Sequence, residues 1–206
     1  MKKNALLIID VQNDFCPDGA LAVNAGNEII SLLNSIVHQF DLVVATQDWH
    51  PAGHISFAST HKRKTGDKIL VNGIEQELWP DHCIQGSHGA ALHSALNTDP
   101  INMIIRKGLN RHIDSYSGFF ENDRKTKTGL MGYLKEMEAG NLYIGGLALD
   151  YCVYFSACDA KKMGFNTFVI EDAARGVNIP VNNISYKKND MKKKGIKIIK
   201  HENILQ

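Results

Sequence analysis

The chain has 206 residues, of which 44% are hydrophobic and 22% charged, enough for one ordinary globular domain with a sizeable core. Lys and Arg total 23 against 22 Asp and Glu, a formal net charge of +1. That balance excludes a dedicated binder of nucleic acid or of anionic membrane, which carries a basic excess. There is no long apolar run to span a bilayer. Met1-Lys2-Lys3 is basic, but Asp10 ends the apolar stretch too early for a secretory signal, so the default expectation is a cytoplasmic protein.

In chain order, Ala5 to Ile9 is the first expected strand. Ile29, Leu32, Leu33, Ile36, Val37 and Phe40 then form one face of an amphipathic helix. Further apolar runs follow at Leu42 to Ala45, Met103 to Ile105, Leu142 to Ile144, Thr167 to Ile170 and Ile196 to Ile199. They are continuous rather than alternating, as in strands buried on both faces. Strands alternating with helices predict an α/β fold: a three-layer αβα sandwich around a mostly parallel sheet of about six strands. The expected organisation is a single domain over 1–206, with a loop insertion around 50–89 that lacks periodicity. Loops of that length are often functional. The lysine-rich stretch from Lys187 to Lys200 reads as a solvated face of the last helix.

Ligands of open α/β sheets bind beyond the carboxyl ends of the strands. Asp10 follows the first expected strand, Asp48 and His50 the second, Lys107 the third, and Asp150-Tyr151-Cys152 the fourth. Cys152 precedes an expected helix over Val153 to Met163, whose N-terminus would favour a thiolate. Asp10 could take the thiol proton, Lys107 could hold the charge, and the N–H groups of Ala148 and Cys152 could receive an oxyanion. Taken singly, each residue has a plainer reading: a buried cysteine, a loop carboxylate, a surface lysine. Of the other cysteines, Cys158 lies about two turns into the helix and reads as packing, and Cys16 and Cys83 fare no better as nucleophiles.

Asp48-Trp49-His50 carries two ligand-type side chains at i and i+2, which point the same way on an extended strand. A loop histidine such as His82 would complete a three-ligand set suited to Zn²⁺, Fe²⁺ or Mn²⁺, with His54 as a hydrogen-bonding neighbour. The remaining histidines carry no functional reading.

Taken together, these motifs resemble the nicotinamidases of the isochorismatase-like cysteine hydrolase superfamily, from Ala5 to about Gly176. The residues are Leu7-Ile8-Ile9-Asp10-Val11-Gln12-Asn13-Asp14-Phe15, Thr46-Gln47-Asp48-Trp49-His50-Pro51, His54-Ile55-Ser56-Phe57-Ala58, Arg106-Lys107-Gly108 and Gly146-Leu147-Ala148-Leu149-Asp150-Tyr151-Cys152-Val153. More specific to nicotinamidases are Leu78-Trp79-Pro80-Asp81-His82-Cys83 and Asp114-Ser115-Tyr116-Ser117-Gly118-Phe119-Phe120.

The resemblance implies a cytoplasmic amide hydrolase of pyridine-nucleotide salvage. It would convert nicotinamide to nicotinate and ammonia, and pyrazinamide as well. It implies a triad of Asp10, Lys107 and Cys152, and one divalent metal, zinc first, on Asp48, His50 and His82. Phe15 and Trp79 would wall the ring, and Tyr116, Leu147, Ala148 and Tyr151 would complete the substrate contacts. The Leu147–Ala148 peptide would be cis. Leu149 departs from the family's usual Thr. Neither nucleic acid nor membrane is an implied partner, and a homo-oligomer stays open.

Three other readings stand beside this one. An amidase for carbamoyl or ureido substrates would normally lack the Trp79 to Cys83 block. A metal-driven hydrolase would not need Cys152. A binding protein without turnover has no use for a nucleophile.

Overall fold

The computed structural model describes residues 2–71 and 73–204. Six strands form the central sheet: β1 (Lys3–Ile9), β2 (Leu42–Asp48), β5 (Met103–Lys107), β6 (Ala139–Leu147), β7 (Asn166–Arg175) and β8 (Lys197–Ile199). Their spatial order is β5-β2-β1-β6-β7-β8, and every pairing is parallel.

Alternate strand residues feed two apolar layers, because successive side chains point to opposite faces. On one face Leu6, Ile8, Val43, Ala45 and Tyr143 meet Ile29, Ile30, Leu33 and Ile36 of helix α1 (Ile29–Ile36). On the other, Ala5, Leu7, Leu42, Val44, Leu142 and Ile144 meet helices α2 (Leu130–Glu136), α3 (Tyr154–Lys162) and α4 (Asn183–Lys193). The three expected layers are therefore present. Among the described residues, no helix is long and apolar enough to cross a membrane.

Several local expectations need correction. The Met103 to Ile105 run is not buried on both faces: β5 is an edge strand, and Ile104 is 44% exposed. The segment around 50–89 is not without structure. It carries an antiparallel hairpin of β3 (Lys68–Val71) and β4 (Ile74–Glu77) outside the main sheet. Helix α2 was not expected, since its seven residues span too few turns for a periodic signal. Cys152 lies within a π-helical turn, Leu149–Val153, and the regular helix begins only at Tyr154. Leu149 is buried in the α3-side core.

The basic stretch does lie at the surface. Lys188 pairs with Glu171 at 2.5 Å, Lys194 pairs with Asp190, and Lys192 and Lys193 are exposed.

From β1 the chain moves outward to β2 and β5, then returns to β6 and moves the other way. The strand order thus reverses between β1 and β6, where open sheets of this kind carry their ligand crevice. Gly146 makes that junction close: at φ 122° a Cβ there would lie 2.1 Å from the Ile9 carbonyl oxygen.

Candidate active site

Asp10 follows β1 directly and sits at φ 47°, a left-handed conformation that Asp tolerates better than most residues. Thr46 on β2 holds it there. The Thr46 hydroxyl accepts from the Asp10 N–H at 3.2 Å and donates to Asp10 Oδ1 at 2.6 Å. Asp48 and Lys107, the last residues of β2 and β5, are in register, so their side chains leave the sheet side by side.

Lys107 is fully buried. Its Nζ lies 3.0 Å from Asp10 Oδ2, contacts Asp48 Oδ1, donates to the Ser115 carbonyl at 3.1 Å and lies 3.5 Å from Cys152 Sγ. A buried ammonium is tolerable only among such partners. The two carboxylates hold it charged, well above the ordinary lysine range, against the opposing effect of burial.

Burial raises Asp10, and Lys107 opposes that shift. Burial also pushes the Cys152 thiol well up, with Lys107 pulling down and Asp10 pushing up, and the thiol has Asp10 as its hydrogen-bond partner. Burial thus works against a thiolate on Cys152, and Asp10 is the carboxylate beside the sulfur.

Asp48 Oδ2 faces two imidazoles, His50 Nε2 at 3.6 Å and His82 Nε2 at 4.0 Å. All three residues are buried, and their ligand atoms lie within 4.8 Å of one another. The other ring nitrogens are already committed: His50 Nδ1 donates to the Gly108 carbonyl at 3.0 Å, and His82 Nδ1 to the Pro80 carbonyl at 2.8 Å. Carbonyl partners take the N–H at Nδ1 of both rings, so a neutral ring presents its lone pair at Nε2, the tautomer a metal requires. One carboxylate and two oriented imidazoles fit a divalent cation. Gly108 is needed for this packing, because at φ 65° a Cβ would lie 2.3 Å from the His50 ring.

The loop carrying His82 is tied in by backbone. The Cys83 N–H donates to Asp14 Oδ2 at 2.6 Å, and its carbonyl accepts from the His50 N–H at 2.9 Å. His54 stacks on His50 at 4.2 Å, but neither of its nitrogens is free. Nδ1 faces the Ser56 hydroxyl at 2.8 Å, and Nε2 donates to the Ile113 carbonyl at 3.2 Å. Phe57 sets ring edges against all three histidines, a dry wall the residue pattern did not single out.

Beside these groups lies a small chamber. Phe15, Trp79, Tyr116, Ala148, Tyr151 and Cys152 line it, together with Asp48 and His82. The Trp79 indole N–H donates to the Tyr116 hydroxyl at 3.1 Å, and Tyr151 stands edge-on to Trp79. Leu147 does not reach the chamber. It is wholly buried in the α1-side core, although its peptide bond to Ala148 is cis. The sequence reading missed Leu21, Val23 and Val177, which complete the apolar wall. They are isolated loop residues without a pattern. The Asp150 carboxylate, which does not line the chamber, anchors the loop after β7. It accepts from the N–H groups of Val177 and Asn178, each at 2.9 Å.

Residues 4–203 match the family model described as the isochorismatase domain. A nicotinamidase of Acinetobacter baylyi is 46% identical over 202 residues, covering 98% of this chain and 94% of its own. A solved structure of an Acinetobacter baumanii nicotinamidase and pyrazinamidase superposes with a TM-score of 0.96 at 44% identity, covering 100% and 99% of the two chains. The pyrazinamidase of Pyrococcus horikoshii, solved in complex with zinc, gives a TM-score of 0.79 at 34% identity over 96% and 98%.

Proposed function

The chain belongs to the isochorismatase family, and from that premise we propose that it is an amide hydrolase converting nicotinamide to nicotinate and ammonia through a thioester on Cys152. The observation that carries this reading is the meeting of Asp10, Lys107 and Cys152 at the wall of an aromatic chamber that also holds a three-donor metal set. The named relatives act on nicotinamide and pyrazinamide, and both amides are assigned to this site.

The steps follow from the charges. Asp10 takes the Cys152 proton as sulfur bonds to the carboxamide carbon, and the Lys107 ammonium offsets the negative charge on the pair. The carbonyl oxygen becomes an oxyanion facing the N–H groups of Ala148 and Cys152. Protonated Asp10 returns its proton to the departing nitrogen, the C–N bond breaks, and ammonia leaves a thioester. Asp10 then takes a proton from water as the water oxygen attacks that thioester. The C–S bond breaks, the proton on Asp10 returns to sulfur, and the acid formed gives its remaining proton to solvent and leaves as nicotinate.

Phe15, Trp79 and Tyr116 hold the ring so that these groups are aligned, an effect worth several kcal/mol of barrier. A divalent cation on Asp48, His50 and His82, with zinc the first assignment, would supply a Lewis-acidic position for a ring nitrogen. The zinc complex of the Pyrococcus relative supports that assignment.

The direct test is mass analysis of protein quenched in acid during turnover. A nicotinoyl group on the Cys152 peptide is expected. Full turnover with Cys152 never acylated would favour the metal-driven alternative.

A further inference from the structure

Gln12 is wholly buried and carries no role in the chemistry above. Strand β1 runs beside β2 only as far as Ile8 against Ala45, and the chain turns out of the sheet at Asp10. Asp48, the last residue of β2, therefore has no β1 residue opposite its backbone. The Gln12 carboxamide stands there instead. Its Oε1 accepts from the Asp48 N–H at 2.8 Å, and its Nε2 donates to the Asp48 carbonyl, also at 2.8 Å. The second Nε2 hydrogen goes to the Ala90 carbonyl at 2.8 Å, further along the loop that carries His82.

These three buried bonds use both donors of the amide and its oxygen. Reversing the amide would set NH₂ against an N–H and oxygen against two carbonyls, so the site admits one orientation. On the other side β5 holds the chain, where the Trp49 N–H donates to the Lys107 carbonyl at 3.0 Å. The backbone at Asp48 is thus gripped from both sides, which fixes the direction in which its carboxylate leaves. One oxygen of that carboxylate contacts Lys107, and the other faces His50 and His82.

We propose that Gln12 is a positioning residue whose amide continues the β2 ladder where β1 has ended, and so aims the Asp48 carboxylate at Lys107 and at the two imidazoles. Gln12 does not line the chamber, so it acts through the Asp48 backbone.

Gln47, beside Asp48 in the chain, supplies the control. It is also buried, its Nε2 donates to the same Ala90 carbonyl at 2.8 Å, and its Oε1 accepts from Arg106 Nε at 3.2 Å. Neither bond reaches Asp48.

The inference rests on the roles given above to Asp48, so its test uses two readouts. One is the zinc dissociation constant of the purified protein, measured by competition with a chromogenic chelator, which needs no turnover. The other is kcat for nicotinamide at saturating zinc. Gln12→Leu is expected to weaken zinc binding and to lower kcat, each by about tenfold or more, as when a group that orients a metal ligand is lost. Gln47→Leu removes an equal amide and the same Ala90 contact, and should change both far less. Gln12→Glu keeps the length and the acceptor for the Asp48 N–H but cannot donate twice, and should lie between the wild type and Gln12→Leu.

Equal losses in Gln12→Leu and Gln47→Leu, or none in Gln12→Leu, overturn the proposal. Should Gln12→Leu not fold, a Gln12→Glu protein that binds zinc no more weakly than Gln47→Leu overturns it. If the wild type does not turn over nicotinamide, the functional reading fails, and the zinc affinities alone decide the role of Gln12. If the wild type takes up no zinc, the metal reading fails, and the kcat values alone decide it. Failure of both overturns the proposal with them.

Discussion

Asp48 divides its carboxylate between two tasks: Oδ1 contacts the Lys107 ammonium, while Oδ2 faces His50 Nε2 at 3.6 Å and His82 Nε2 at 4.0 Å. One side chain therefore joins the metal donors to the groups around Cys152. The lysine, with the two imidazoles adding to its effect, holds Asp48 far below the ordinary carboxylate range despite its burial.

Replacing Asp48 by Asn removes the anionic ligand and one of the two charges that hold Lys107. Bound metal, measured by elemental analysis after dialysis, should fall from one equivalent to near zero. Activity should fall at least about a hundredfold, as when a catalytic electrostatic partner is lost. Full metal content in the variant would contradict the ligand assignment.

Lys107→Met tests the buried ion network. It leaves Asp10 and Asp48 facing each other without a cation, and breaking such a network by removing one partner costs about 3–5 kcal/mol. The midpoint of urea unfolding should drop accordingly, and ammonia release should vanish. A variant as stable as the wild type would mean that the two carboxyls are not both ionised in the folded chain.

Much of this site follows from short-range pattern and some of it does not. β1, β2 and β6 are legible because Ala5 to Ile9, Leu42 to Ala45 and Leu142 to Ile144 are continuously apolar; Asp10 follows β1, Asp48 ends β2, and Cys152 stands in the turn after β6. The D-x-H pair is legible because the strand period puts both side chains on one face. Lys107 is different: nothing in Arg106-Lys107-Gly108 says that an ammonium is buried. That depends on Asp10 and Asp48 arriving from two other strands. The hairpin of β3 and β4 escapes because its strands are short and mostly exposed or half-buried, without a buried face to set a period. The resemblance supplies what spacing cannot, the grouping of these residues into one chemistry.

His54 gives the site a pH dependence with a definite sign. Burial and the neighbouring His50 push it down to about 4, so it stays neutral in the folded chain while the unfolded chain binds a proton near 6.5. A base depressed by folding stabilises the fold above its unfolded value, and that stability is lost as pH falls from 6.5 toward 4. His54→Gln keeps a donor for the Ile113 carbonyl and an acceptor for Ser56 but cannot titrate. Between pH 7.5 and 4 the wild type should lose about 2 kcal/mol more than this variant in denaturant titrations. Parallel losses would show that His54 is charged in the fold.

Trp79→Ala removes one wall of the chamber and the donor to the Tyr116 hydroxyl. KM for nicotinamide should rise about tenfold, consistent with losing a large aromatic contact, while bound metal stays constant. Loss of metal with unchanged KM would place Trp79 in the support of the His82 loop instead.

The central claim is that Cys152 is the nucleophile of an amide hydrolysis. It is tested most directly by ammonia release from nicotinamide, comparing the metal-loaded wild type with Cys152→Ala at equal metal content. The account predicts steady release by the wild type and none by the variant. Equal release by both would contradict it.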